Sequence, residues 1–118
     1  MLGDYWYLRR ADNSNGIYAD PGAITNAISF YSKAYNENPS EDIVSSLLKS
    51  LYFKGSFVKG DQLERKAIFD KGRCIGEKMI EIYPNSVSIN FWLAAMWGKW
   101  AKNFGPIQAV YEGAWAPR

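Results

Sequence analysis

Ala27-Ile28-Ser29-Phe30-Tyr31-Ser32-Lys33-Ala34-Tyr35-Asn36-Glu37-Asn38-Pro39 is the stretch on which the fold turns. Ala27, Tyr31 and Ala34 follow one another at intervals of four and three, which places them on one face of a helix. Pro39, five residues further, has no N–H and disfavours helical backbone at Asn38, so the helix stops there. The same intervals of four, three and five return at Gly72, Gly76, Met79 and Pro84. A second helix follows each proline in a common register. Leu48 and Tyr52 stand nine and thirteen residues beyond Pro39, and Leu93 and Trp97 stand nine and thirteen beyond Pro84.

The flanking sequence fills in the rest of an all-α chain. Tyr5, Trp6, Leu8 and Arg9 predict a short aromatic helix over 4–12, stopped by Asn13-Ser14-Asn15-Gly16. Asp20-Pro21 opens the next, with Asp as cap and Pro at the first helical position. Ser40-Glu41-Asp42 starts a third, whose stripe is Ile43, Leu47, Leu48, Leu51 and Tyr52 and whose expected stop is Gly55. Asp61 with Glu64 resembles a capping box for a long helix over 61–83. Pro84-Asn85-Ser86 punctuates, a fifth helix covers 87–103, and a sixth is expected over 106–113. No sustained period-two pattern competes with this reading.

Composition excludes several classes of chemistry. With 118 residues and 47% hydrophobic content, the chain has the makings of one domain with a core. It holds no His and one Cys, Cys74, so neither a Cys/His zinc site nor a Ser–His or Cys–His nucleophile pair can be assembled. No cofactor or metal is expected, and no catalysis. The net charge is +2, with Lys and Arg alternating with Asp and Glu, which argues against nucleic acid. The start, Met1-Leu2-Gly3-Asp4, lacks the basic and apolar regions of a signal peptide. The apolar stretch over 87–100 is interrupted by Ser88, Asn90, Gly98 and Lys99 and is too short to span a bilayer. A soluble protein is expected, periplasmic or cytoplasmic.

The paired helices resemble the tetratricopeptide repeat (TPR), a helix–turn–helix unit of about 34 residues. Ala27, Tyr31, Ala34 and Pro39 match the pattern of its second helix; Leu48 with Tyr52, and Leu93, Ala94 and Trp97, match its first. The chain departs from the pattern in three ways. Pro39 and Pro84 are about eleven residues further apart than the repeat length, an excess expected over 54–60. Gly76 and Met79 stand where an aromatic and Ala are usual, and the last repeat lacks its closing proline. Two glycines in one helix each cost about 1 kcal/mol relative to Ala, so Gly72 and Gly76 point to a close helix–helix contact. Lys71-Gly72, Pro84-Asn85-Ser86 and Asn90-Phe91-Trp92-Leu93-Ala94 are similar to the bacterial TPR group that includes the TRAP-transporter-associated T component.

The resemblance implies a short α-solenoid of about six helices in one domain, in antiparallel pairs over 1–40, 41–85 and 86–118. It implies a protein–protein interaction scaffold whose first helices line a concave face, and in that register Arg9, Ser46, Ser50, Phe53, Lys54, Phe91 and Lys99 are the candidate partner-binding residues. The narrower similarity implies instead a transport accessory or small-ligand module beside a solute-binding protein; a structural subunit of a larger complex is a further alternative. An assembly or oligomer is compatible with each. Trp92, Trp97 and Trp100 read as core rather than a ligand cage. Glu77 and Glu81 read as surface ion-pair partners of Arg73 and Lys78, and Cys74 as a buried, inert thiol.

Overall fold

Five helices follow one another in a computed structural model that describes residues 2–11, 21–58 and 60–104, the last three by backbone alone. They are α1 (Leu2–Leu8), α2 (Pro21–Glu37), α3 (Glu41–Phe57), α4 (Gln62–Ile82) and α5 (Val87–Phe104), with no β-strand among the described residues. The helix expected over 106–113 lies outside the described residues.

The starts form where the side chains favour them. Ser40 accepts a hydrogen bond from the N–H of Ile43 at 3.3 Å, and Asp61 accepts one from Glu64 at 2.8 Å. Ser86 does the same for α5, accepting from Ile89 at 3.2 Å. Each cap satisfies one of the N–H groups that a helix start leaves open. Two boundaries differ from the sequence expectation. The first helix ends at Leu8 rather than at 12, because Arg9 and Arg10 turn their N–H groups to Trp6 and Tyr7, three residues back, at 3.1 Å each. Gly55 does not stop α3, which continues to Phe57. Gly55 is instead a packing residue: a Cβ there would stand 2.6 Å from the Phe69 ring of α4.

Consecutive helices pack on each other throughout, α1 on α2, α2 on α3, α3 on α4 and α4 on α5, and α3 also packs on α5. The core follows the helical period. Ile24, Ala27 and Tyr31 of α2, Val44, Leu47, Leu48 and Leu51 of α3, Phe69 and Met79 of α4, and Ile89, Met96 and Trp100 of α5 form one buried cluster. The α4–α5 crossing is close because Gly72 and Gly76 carry no side chain. A Cβ at Gly72 would lie 2.7 Å from Met96 Cε, and one at Gly76 would lie 2.9 Å from Leu93 Cδ1. Tyr83 Oη donates to the carbonyl of Pro39 at 3.2 Å, which brings the two proline-bearing turns together. No helix among the described residues is long and apolar enough to cross a membrane.

Candidate interaction face on the odd-numbered helices

A row of aromatic rings with cations set over them joins α1, α3 and α5. In α1, Tyr7 is half-buried and meets Phe53 of α3 edge-on, with centroids 6.4 Å apart. Arg10 lays its guanidinium 4.1 Å from the Tyr7 centroid and 5.2 Å from that of Phe53, and its Nη1 donates to the Tyr7 carbonyl at 3.0 Å. The Lys49 ammonium lies 4.3 Å from the Tyr7 ring. Burial raises the Tyr7 pKa, with the Arg10 charge pulling the other way, so the phenol remains neutral at physiological pH. Lys49 and Phe53 are one turn apart, so one stripe of α3 supplies both the charge and the ring.

The other stripe of α3 meets α5. Tyr52 packs on Trp92 at 5.6 Å, Trp92 stacks on Phe91 at 4.9 Å and 29°, and Lys99 stands 5.7 Å from the Tyr52 ring. Ser45 and Ser88 join their hydroxyls at 2.5 Å between the same two helices. Aromatic pairs of this kind contribute roughly 0.5–1.5 kcal/mol beyond their burial, and an exposed cation over a ring about 0.5–1 kcal/mol. The rings therefore hold the odd-numbered helices side by side. Phe91 remains 54% exposed at one end and Phe57 44% exposed beside Phe53, so apolar surface is left uncovered.

The seven residues singled out from sequence divide. Phe53, Phe91 and Lys99 belong to this row. Arg9 is exposed at the end of α1, its guanidinium 4.5 Å from the Tyr5 ring. Ser46 is half-buried and accepts, through its carbonyl, the Ser50 hydroxyl at 2.8 Å. Ser50 itself is fully buried and presents nothing to a partner. Lys54 sits roughly 140° around α3 from Lys49, turned from the row. Tyr7, Arg10, Lys49, Tyr52 and Trp92 belong to the row and were not among the seven. The spacing of Lys49 and Phe53 was the available signal for the α3 part.

The remaining candidates also find places. Trp100 is fully buried and Trp97 half-buried, packed edge-on at 6.0 Å, with Arg73 4.2 Å from the Trp97 centroid. Arg73 and Lys66 hold Asp70 at 2.7 and 2.9 Å. Glu77 accepts the Trp97 indole N–H at 3.2 Å instead of serving only as a surface charge. Cys74 is exposed, contrary to the buried thiol expected from its residue type. Its place on α4 between the packed Arg73 and Ile75 turns it outward. Among the described residues no group of three or more His, Cys, Asp or Glu is placed to hold a metal ion.

Comparison with models of known protein families, with curated proteins and with solved structures yields no match.

Proposed function

We propose that the protein is a non-catalytic interaction scaffold, a short TPR-like α-solenoid of antiparallel helix pairs that holds a partner protein on its odd-numbered helices. The observation that carries this reading is the row of rings and cations from Arg10 and Tyr7 through Lys49, Phe53 and Tyr52 to Trp92, Phe91 and Lys99. Aromatic rings with an Arg among them, clustered on one face, are the composition that binding hot spots favour. Two packing features support the solenoid. The equivalent turns at Pro39 and Tyr83–Pro84 are joined by a hydrogen bond, and α3 packs on α5 as well as on its chain neighbours. Like elements then stack on like, and one face stays open.

Affinity capture from the native host, followed by crosslinking mass spectrometry, tests the reading against Lys49→Glu and Phe91→Ser variants. The expected result is one specific protein crosslinked to α1, α3 and α5 and weakened in each variant by about tenfold or more, as for residues worth ~1.5–2 kcal/mol at an interface. Capture of no specific protein under gentle conditions, or capture that both variants leave intact, overturns it.

A further inference from the structure

Away from the odd-helix row, a cavity of about 240 Å³ opens between α4 and α5. Its lining combines the apolar Ile80, Leu93 and Ala94 with Glu77, Glu81, Asn90 and Trp97. The polar inventory of that lining has one sign. Asn90 spends both N–H groups on backbone, donating to Ser86 at 2.7 Å and to Pro84 at 3.3 Å, so only its carbonyl oxygen is left for a ligand. Trp97 has a single N–H and spends it on Glu77 Oε1 at 3.2 Å, which also fixes that carboxylate at the cavity edge. Glu81 stands one turn further along α4 on the same face. Among the described residues neither Glu77 nor Glu81 is ion-paired, and the nearby Arg73 has its guanidinium on Asp70. What remains is a set of acceptors, two of them anionic, in a cavity that is otherwise lined by apolar side chains.

We propose that this cavity receives a primary ammonium carried on an unbranched apolar stem, the chemistry of a lysine side chain. The ammonium has three donors and no acceptor, which matches Glu77, Glu81 and the Asn90 carbonyl, and the stem lies on Ile80, Leu93 and Ala94. A neutral polar ligand would gain nothing from the charge of the carboxylates, and an anion would be repelled by them. The volume falls short of the roughly 300–1,000 Å³ of sites that enclose whole drug-sized ligands, and suits one such group. Two sources supply this chemistry, a free aliphatic amine and a lysine of a polypeptide.

The test follows the Trp97 indole N–H resonance of the full chain, assigned by its loss in Trp97→Phe. Pentylammonium chloride, the neutral isostere pentanol, and a capped, glycine-flanked lysine peptide are titrated in turn. The expected result is a saturable shift with pentylammonium, with a dissociation constant on the order of 1 mM, and no matching shift with pentanol. Glu77→Gln and Glu81→Gln each weaken binding by about fivefold or more, in line with the loss of a charge-assisted hydrogen bond. Glu81 is exposed, so its substitution leaves the fold intact, and Gln at 77 retains an acceptor for Trp97. Tighter binding of the peptide assigns the site to a polypeptide lysine, and equal or weaker binding assigns it to a free amine. Absence of a saturable shift with both amines, an equal response to pentanol, or wild-type affinity in Glu81→Gln overturns the proposal.

Discussion

The Phe69 ring of α4 lies directly on the bare backbone of Gly55 in α3, and a Cβ at Gly55 would stand 2.6 Å from Phe69 Cζ and 2.7 Å from Cε1. Phe69 is fully buried. The absence of a side chain at one position thus sets the distance between two helices.

Gly55→Ala is therefore expected to destabilise the protein despite the better helix propensity of Ala. Overpacking a core contact costs about 1–3 kcal/mol, and propensity returns at most about 1 kcal/mol. Urea denaturation monitored by circular dichroism should give a lower midpoint than wild type. A higher one would mean that α3 and α4 can separate freely.

The two glycines of α4 should behave differently from each other. At Gly72 the obstacle is Met96 Cε and Sδ, the flexible end of an unbranched side chain, whereas at Gly76 it includes Leu93 Cβ at 3.3 Å, which moves only with the backbone. Gly72→Ala is expected to lie within about 1 kcal/mol of wild type, with Gly76→Ala less stable by about 1–2 kcal/mol more. Paired thermal melts rank them; the reverse order would contradict the packing described for α5.

Tyr31 makes stability sensitive to alkali. Its hydroxyl donates to the Asp4 carboxylate of α1. Burial, then the Asp4 hydrogen bond and the Asp4 charge, raise its pKa well above the ordinary 10.0. The folded chain holds this proton where the unfolded chain releases it, so the contribution is complete below about pH 10 and is lost as pH rises through the folded value. Tyr31→Phe should lower stability at neutral pH by about 1 kcal/mol and flatten the decline above pH 10. Denaturation midpoints measured from pH 8 to 11 read both effects, and an unchanged alkaline slope would remove Tyr31 as its source.

Asp70 acts at the other end of the scale. Desolvation raises its pKa, but the hydrogen bonds from Arg73 and Lys66 and their charges outweigh this and hold it below the ordinary 3.8. Its contribution is present above that value and is lost as pH falls through the lowered one. The carboxylate is 30% exposed, so solvent screening limits the effect to about 0.5 kcal/mol. Asp70→Asn should give a small loss at pH 7 that fades as acid protonates Asp70, seen by comparing the acid limbs of the two unfolding curves. A loss that persists undiminished at low pH would assign the effect to packing rather than charge.

The elements that capping and punctuation specify were legible from the chain itself. Ser40 and Asp61 each cap a helix through a contact three residues away, and Pro39 and Pro84 remove a donor wherever they stand. Helical spacing also marked Ala27, Tyr31, Leu47, Leu48 and Leu51 as interior. Gly72 and Gly76 were readable as a contact surface because their cost in a helix required a return elsewhere.

The ring row was only partly legible. Phe53, Phe91 and Lys99 are singled out from the tetratricopeptide-like register, whereas Tyr7 belongs to the row only because α1 packs where Phe53 can reach it. Ser50 and Lys54 share a helix with Phe53, and burial on one side of α3 removes the first while rotation removes the second.

Local chemistry in the sequence determined where helices start and which of their faces are apolar, since these depend on residues within a few positions of one another. Tertiary packing decided that Gly55 is a contact and not a stop, that Cys74 faces outward, and that Glu77, Glu81 and Asn90 converge on one cavity. Those outcomes depend on how close two helices come and at what rotation, and that is set by side chains far apart along the chain.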